Sequence, residues 1–464
     1  MNSKYKKLYK DTFIFAIGSF GSKLILFLMV PLYTHFMSDE DYGTADLVFT
    51  FSQFIVPILS LVIFDAVIRF GLSKDEKKEN VLLVSFIIFG CSIILNILAT
   101  PLIGLYQTIN EWKWYLCIYV IASILNSIEM NYLKAKEKNK VFAILSILHT
   151  GLMASMNVLF LVYCHMGVKG YLLAYIFSSI AIDIVAFICG NVFHDLFKAE
   201  FDIKLFKSMV FYSAPLILNN VSWWVIHSSD KIMVEVMVST AALGIYTAAA
   251  KIPSLINVFV TVFQQAWGIS TVKEIESTND DHYYSSVFKV YTILTFTACV
   301  LLVGIIKFFM QIYVGEAFQS AWKYVPLLLV SAVFASIAGF YGSLYGALKK
   351  SINNMLTTLV AAITNIIVNF ALIPFVGIWG AVIGTVCSYI AIAIARMWDV
   401  NRLIKIKINY GQLIINSFII VFQGIMVSID YYGEIFTVIS ILLFVIVNRK
   451  DIKKLSNLRK GKRK

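Results

Sequence analysis

The sequence predicts an all-α integral membrane protein with about fourteen transmembrane helices. Three observations support this fold class. The chain is 59% hydrophobic and 14% charged, whereas a soluble domain carries about a quarter charged residues. Its apolar segments approach or exceed the roughly 20 residues that a helix needs to cross a bilayer. Lys and Arg are concentrated in every second connection between those segments.

The apolar runs are continuous rather than alternating, as in Val81–Leu98 and Leu413–Val427. Continuous runs favour helices over the alternating strands of a membrane barrel. We predict the following spans in chain order: 11–35, 43–68, 80–106, 114–133, 141–163, 169–193, 208–236, 241–270, 286–312, 323–347, 352–373, 378–397, 411–428 and 433–448.

The distribution of positive charge predicts the topology. Basic clusters precede the first span, follow the second, fourth, sixth, tenth and twelfth, and fill the C-terminal tail, whereas the connection Met37–Asp41 is acidic. Cytoplasmic loops are the ones enriched in Lys and Arg. We therefore expect both termini in the cytoplasm. The net charge of +12 orients the chain against anionic membrane lipid, so no nucleic acid partner is expected.

An internal repeat predicts the domain organisation. Ser38–Ala45, before the second span, matches Ser239–Tyr246, before the eighth, at an offset of 201 residues; in each, a polar start is followed by Gly and small residues. Two halves in the same direction form a parallel transporter repeat. The predicted parts are a six-helix bundle at 1–193, an amphipathic cytoplasmic linker at 194–207, a second six-helix bundle at 208–409, helices 13 and 14 at 410–448, and a basic cytoplasmic tail at 449–464.

Several motifs in both halves are typical of one family. They are Gly21-Ser22-Lys23, Val30-Pro31-Leu32-Tyr33-Thr34, Tyr42-Gly43-Thr44-Ala45-Asp46-Leu47, Asp65-Ala66-Val67-Ile68-Arg69-Phe70, Asp230-Lys231, Gly244-Ile245-Tyr246 and Ala249-Ala250-Lys251. With the length and helix count, these motifs resemble polysaccharide (lipid-linked oligosaccharide) flippases of the multidrug/oligosaccharidyl-lipid/polysaccharide exporter superfamily.

This resemblance implies a V-shaped pair of six-helix bundles in the bacterial cytoplasmic membrane. Such a protein moves an undecaprenyl-pyrophosphate-linked oligosaccharide from the inner to the outer leaflet, for O-antigen or capsule assembly. The expected partners are the lipid-linked oligosaccharide, membrane lipid, H+ or Na+ and a glycan polymerase. We expect a monomer.

Most lysines lie at or near inward connections, Lys113 and Lys169 lie at outer loops, and Lys307 and Lys323 can snorkel to the outer surface. Three lysines then remain within the predicted helices: Lys23, Lys231 and Lys251. Lys23 is roughly 18 Å along the first span at 1.5 Å per residue, near mid-membrane. Ionisable residues at such depth usually face a bundle interior or a water-filled cavity. We predict that these lysines, with Arg69, bind the diphosphate headgroup. The alternative for each lysine is an internal ion pair.

Spacing offers Asp230 and Glu235 as ion-pair partners of Lys231. Asp65 and Arg69 are four residues apart and share a helix face, which predicts either a salt bridge that braces an inner gate or direct headgroup contact. Asp230 belongs to the same class of gate or ion-pair residues. Arg396 is expected to anchor its helix at the membrane interface.

Transport requires an energy source, and the sequence contains no Walker A motif. Cation exchange is therefore expected, with Asp46, Glu129, Asp183 and Asp230 as candidate coupling acids. The alternative for each acid is a role as partner to a nearby lysine or a position at a helix end.

No nucleophile elbow, HExxH motif or metal-ligand spacing of Cys and His is present. We therefore expect no catalytic residues, metal site, cofactor or enzymatic activity. A cation-coupled multidrug exporter of the same superfamily is one alternative, although three lysines do not suit organic cations. A glycan polymerase or acyltransferase would need a catalytic cluster on a long outer loop, which the sequence lacks. A scaffold without transport activity remains open.

Overall fold

The computed structural model describes residues 21–73, 75–277, 281–348 and 350–461, and these are helical almost throughout, with no strand among them. The helices are α1 Gly21–Phe36, α2 Asp39–Leu59, α3 Ile63–Gly71, α4 Lys78–Ile103, α5 Gln107–Asn110, α6 Lys113–Ala135, α7 Asn139–Asn157, α8 Gly167–Gly190, α9 Val192–Lys198, α10 Ile203–Met237, α11 Thr240–Ala250, α12 Ser254–Ser277, α13 Asp281–Tyr313, α14 Val325–Ala347, α15 Ser351–Val376, α16 Ile378–Val400, α17 Tyr410–Ser428 and α18 Gly433–Gly461. A π-helical segment, Val158–Tyr163, extends α7, and a 3₁₀ segment, Glu316–Lys323, precedes α14.

The predicted all-α membrane fold is confirmed, but the predicted count of fourteen spans is not. Among the described residues, eleven helices are long and apolar enough to cross a membrane, or twelve if α11 and α12 form one bent span. The described part of α1 is a shorter apolar helix, and α18 is not one of the eleven.

Two predicted spans are interrupted close to a proline. The span predicted at 43–68 is divided into α2 and α3, with Pro57 two residues before the end of α2 and left-handed backbone at Leu61 and Val62. The span predicted at 241–270 is divided into α11 and α12, with a bend of about 40° around Pro253. Proline lacks a backbone N–H and clashes with the preceding turn, which explains why helices bend or end at these positions.

The helices form two compact units. The first contains the chain as far as Ile232 together with Thr240–Gly244, and the second contains Met233–Ser239 and the chain from Ile245 onward. In the first unit α6 packs against α8, α3 and α4, and in the second α14 packs against α16, α12 and α13. The predicted boundaries of the two six-helix bundles come from the sequence repeat, whereas the two units are defined by their compactness. The predicted boundaries therefore stay predictions.

The connection after α8 is fixed to the end of α6 by one buried carboxylate. Asp195 of α9 accepts hydrogen bonds from the Tyr132 hydroxyl at 2.6 Å and from the Lys136 ammonium, with which it also forms a salt bridge. The same short helix exposes Phe193 and Phe197, which are 63% and 76% accessible. The helix α9 is therefore held to α6 on one side and exposes apolar rings on the other, and its place at the membrane surface stays a prediction.

Candidate functional site

A buried ion pair joins α10 to α2 in the first unit. Lys231 Nζ lies 2.7 Å from Asp46 Oδ2, and the two side chains are only 15% and 1% exposed. The Asp46 carboxylate compensates the buried ammonium, because an isolated charge in this environment would be costly. Neither of the two partners suggested by sequence spacing forms this salt bridge.

The contact between α10 and α2 continues along the helices. Trp224 Nε1 donates a hydrogen bond to the Thr50 carbonyl oxygen at 3.0 Å, and its ring packs against Phe54 with 4.6 Å between centroids. Asp46, Thr50 and Phe54 are spaced by four residues and therefore lie on one face of α2. We call this line of contacts the α2 seam.

At the start of α2, the seam is completed by the two glycines of the internal repeat. A Cβ atom on Gly43 would lie 2.1 Å from the Thr240 carbonyl oxygen, and one on Gly244 would lie 1.9 Å from the Asp39 carbonyl oxygen. Only glycine permits such a close approach of α2 and α11. The repeated sequence motif thus forms a contact with its own counterpart.

Tyrosines surround the other side of Asp46. Tyr33 packs edge-on against Tyr171 and Tyr171 packs against Tyr175, each with 4.9 Å between ring centroids. Tyr171 and Tyr175 both lie within electrostatic reach of Asp46. The Asp46 carboxylate therefore has amphipathic tyrosine side chains in its electrostatic surroundings.

A polar cavity of about 410 Å³ lies elsewhere in the first unit, between α1, α3, α6 and α7. Its lining is rich in hydroxyl, amide, imidazole and carboxyl groups: Ser22, Asp65, Asn126, Ser127, Asn131, Ser146, His149 and Thr150. A cavity of this size and polarity can hold several water molecules.

Two of the predicted coupling acids lie beside this cavity. Asn126, one of the lining residues, donates a hydrogen bond to Asp183 Oδ1 at 2.7 Å. Glu129, one turn further along α6, is 1% exposed and interacts electrostatically with Asp183. Both Glu129 oxygens and Asp183 Oδ2 lack a hydrogen-bond partner among the described residues.

The other predicted headgroup residues are placed separately. Lys23 is half-buried on α1, next to the cavity-lining Ser22, and Lys251 is half-buried in the break between α11 and α12 in the second unit. Arg69 is exposed at the end of α3. Headgroup binding by these residues stays a prediction.

Within the described residues, Asp65 and Arg69 do not form the predicted salt bridge. Asp65 faces the cavity and its charged neighbour is Lys134 of α6. Helix spacing places two side chains on one face, but an inward-facing carboxyl and an exposed guanidinium do not meet. Asp230 is buried and its carboxylate accepts the backbone N–H of Lys231 at 2.9 Å.

Arg396 is not the interfacial anchor that the sequence suggests. It is 3% exposed in the second unit, where it donates to the Ala338 carbonyl, to Asn354 and to Thr358 at 2.7–3.0 Å. The arginine thereby joins α16 to α14 and α15. The groups that accept its hydrogen bonds are far apart in the sequence. No sequence pattern therefore predicts this hydrogen-bond network.

Comparison with known proteins identifies the family. The protein-family model for polysaccharide biosynthesis proteins matches residues 8–268. Two Haemophilus influenzae proteins are similar: Lsg locus putative protein 1, 22% identical over 265 residues, and an uncharacterized membrane protein, 21% identical over 264 residues. The aligned parts cover 56% of this chain and 65% and 64% of those relatives, which is slightly under two thirds of their length.

Solved structures show the same fold. The lipid II flippase MurJ in an inward closed conformation has a TM-score of 0.68 at 15% identity, covering 96% of this chain and 99% of that one. An inward-facing multidrug transporter of the MATE family also has a TM-score of 0.68 at 15% identity, covering 82% and 94%. These named neighbours are transporters rather than enzymes.

The family model covers more than half of the chain, and the similarity of fold extends over almost all of it. The resemblance drawn from the motifs is therefore confirmed. The chain belongs to the polysaccharide biosynthesis protein family and has the fold of the multidrug/oligosaccharidyl-lipid/polysaccharide exporter superfamily.

Proposed function

We propose that this protein flips an undecaprenyl-diphosphate-linked oligosaccharide from the inner to the outer leaflet of the bacterial cytoplasmic membrane. Alternating access coupled to H+ or Na+ would drive the movement, for O-antigen or capsule assembly. The family, the fold shared with a lipid flippase and the lysines within membrane helices support this proposal. A monomeric state, cytoplasmic termini and a glycan polymerase partner belong to the same proposal.

The observation that carries the proposal is the buried pair of Lys231 and Asp46. An ammonium inside a membrane helix needs an anionic partner, and Asp46 supplies it in this structure. A diphosphate is also an anion and can take the place of Asp46 at the same ammonium. Cargo binding would then pass the Lys231 ammonium from Asp46 to the diphosphate, so that Lys231 stays paired while Asp46 loses its counter-charge.

This exchange gives the α2 seam a role in the cycle. On the predicted topology the start of α2 lies on the outer side of the membrane, so the seam would hold the first-unit parts of α10 and α11 against α2 on that side. A headgroup that draws Lys231 away from Asp46 would weaken the seam. Cargo binding would thereby favour the conformation from which the cargo leaves, as ligand-driven population shifts require.

A binding measurement tests the substrate class. The protein in nanodiscs is titrated with a polyprenyl-diphosphate oligosaccharide, with the same oligosaccharide on an uncharged polyprenol, and with a hydrophobic organic cation. We expect binding of the diphosphate lipid, and a loss of about tenfold, roughly 1.4 kcal/mol, in Lys231→Ala. Lys77→Ala is the matched control, because Lys77 and its partner Glu200 are highly exposed.

One observation favours the alternative of a cation-coupled multidrug exporter. The buried carboxyls of Glu129 and Asp183 are groups that could attract an organic cation. Binding of the organic cation but of neither lipid would support that alternative and contradict the flippase proposal. Equal binding of the charged and uncharged lipids would contradict the role of the lysines.

A further inference from the structure

Glu129 and Asp183 form a pair of buried carboxyls that the packing of the first unit leaves incompletely bonded. They are 1% and 4% exposed and lie on the adjoining helices α6 and α8. Among the described residues, neither oxygen of Glu129 and only one oxygen of Asp183 has a hydrogen-bond partner. Three buried carboxyl oxygens therefore lack the bonds that ionised groups require.

Protonation of the pair accounts for this arrangement. Two carboxylates close together in a membrane interior cannot both be ionised, because each disfavours the charge of the other and burial disfavours both. Protonation of Glu129 removes the charge that burial and the neighbouring Asp183 disfavour. With one proton the pair carries a single negative charge, and a second proton makes it neutral.

The structure also places the polar cavity next to the pair, where water could supply that second proton. Asn126 lines the polar cavity and donates to Asp183 at 2.7 Å. Asp183 is therefore one hydrogen bond from a cavity large enough for water. The cavity lies between the parts of α3, α6 and α7 nearest the predicted cytoplasmic loops, so on the predicted topology it faces the inner side.

The other ionisable groups near the pair are engaged elsewhere. On the elements packed against α6, and on α6 itself, they include Asp65 of α3, His149 of α7, Asp46 of α2, Glu79 of α4 and Lys134 of α6. Lys134 faces Asp65, His149 contacts the Ser179 hydroxyl at 3.2 Å, and Asp46 is paired with Lys231. Glu79 acts on Tyr132 near the opposite end of α6 from Lys113. The charge felt by Glu129 is that of Asp183.

We propose that Glu129 and Asp183 together form the proton-binding site of this protein, which cavity water reaches beside Asn126. This inference rests on the proposed function, because it assigns the coupling ion and the site for the same transporter. It selects one pair from the four acids that the sequence offers. A second proton from cavity water binds the singly protonated pair, and the same proton returns to water on release.

The charge of the pair explains how proton binding affects the conformation. A negatively charged pair is stable only while water in the cavity can solvate Asp183 through Asn126. Closing the cavity removes that water and is costly unless the pair is neutral. The cavity therefore closes with the proton bound and stays open without it, which links proton occupancy to the transport cycle.

Infrared difference spectroscopy tests the site without any requirement for transport. The full chain in lipid is titrated between mildly acidic and alkaline pH, and the carbonyl band of protonated carboxyl groups is followed. We expect a titrating band that is lost in Glu129→Gln and shifted in Asp183→Asn. Glu200→Gln is the matched control, because Glu200 is an exposed carboxylate, and it leaves the band unchanged. A band that is identical in all variants overturns the proposal, as does a band that Na+ removes at constant pH.

A transport experiment then tests the coupling. In proteoliposomes with the lipid-diphosphate oligosaccharide, we expect a pH gradient to accelerate flipping in the native protein. Glu129→Gln should lose that acceleration, whereas the exposed control Glu200→Gln should retain it. Acceleration retained by Glu129→Gln overturns the coupling role. Absence of flipping in the native protein, together with the expected infrared band, contradicts the flippase proposal and leaves the proton site supported.

Discussion

Gly43 and Gly244 hold equivalent positions in the internal repeat and pack backbone to backbone. The Cβ atom that either glycine lacks would fall within 2.1 Å of a carbonyl oxygen on the opposite helix. This contact lies one turn from the buried pair of Asp46 and Lys231. The close approach of the helices and the ion pair are therefore parts of one seam, and we expect a change in one to affect the other.

Gly43→Ala should force α2 and α11 apart and destabilise the protein by about 1–3 kcal/mol, the usual range for overpacking. The matched control is Gly90→Ala on α4, where a Cβ would meet no atom within 4 Å. Alanine is a better helix former than glycine, so the control should be neutral or stabilising. Melting temperatures of the detergent-solubilised variants compare the two; equal shifts would refute the close contact.

Removal of one member of the buried ion pair should cost more than removal of both. Asp46→Asn leaves the Lys231 ammonium buried without a counter-charge, a change worth on the order of 3–5 kcal/mol. The double variant Asp46→Asn with Lys231→Met should recover much of that loss. Lys307→Met is the control, because Lys307 and Asp430 form an exposed pair that contributes about 0–1 kcal/mol. Unfolding free energies that simply add in the double variant would contradict the pairing.

Trp224→Phe isolates the hydrogen bond of the seam from its aromatic packing. The substitution keeps a ring against Phe54 but removes the N–H that donates to the Thr50 carbonyl. We expect a loss of about 1 kcal/mol in unfolding free energy. Trp223→Phe is the control, since Trp223 stacks on His227 and the substitution retains an aromatic ring. If Trp224→Phe lowers the unfolding free energy no more than Trp223→Phe does, the hydrogen bond from Trp224 to the Thr50 carbonyl is contradicted.

Asp195 predicts a dependence of α9 on pH. Burial raises the pKa of this carboxyl, but the hydrogen bonds from Lys136 and Tyr132 and the Lys136 charge outweigh burial and lower the pKa below its usual value. A lowered pKa stabilises the folded state fully above the pH at which a free Asp titrates, about 3.9. That stability is lost as the pH falls through the lower folded value.

Hydrogen exchange at the amides of α9 measures this effect. At neutral pH, Asp195→Asn should increase exchange over Val192–Lys198, and the difference from the native protein should shrink as the solution becomes strongly acidic. Glu200→Gln, at an exposed salt bridge, should leave exchange in α9 unchanged. A difference between native and Asp195→Asn that grows on acidification would reverse the predicted sign.

Hydropathy predicts the uninterrupted helices well. The spans predicted at 80–106, 169–193 and 378–397 correspond to α4, α8 and α16 with ends displaced by a few residues. The predictions for 43–68 and 241–270 are less accurate, because each segment contains a helix break. Hydropathy averaged over a window does not detect such a break. Pro57 and Pro253 are the local signals of those breaks.

The ion-pair partners of the charged residues are harder to predict from the sequence. Spacing offers Asp230 and Glu235 for Lys231, yet the partner is Asp46, 185 residues away. Spacing also pairs Asp65 with Arg69, yet Asp65 faces Lys134. Helical periodicity identifies residues on the same face, whereas the partner on a neighbouring helix depends on packing. The glycines were detectable because the repeat marks them in both halves.

In the proposed transport cycle, Lys231, which is paired with Asp46 within the membrane, receives the anionic headgroup of the cargo. The most direct test of this claim is flipping of a polyprenyl-diphosphate oligosaccharide in proteoliposomes by the native protein, Lys231→Ala and the exposed control Lys77→Ala. We expect flipping by the native and control proteins, and a rate at least about tenfold lower, or roughly 1.4 kcal/mol, for folded Lys231→Ala. Native rates in Lys231→Ala would contradict the claim.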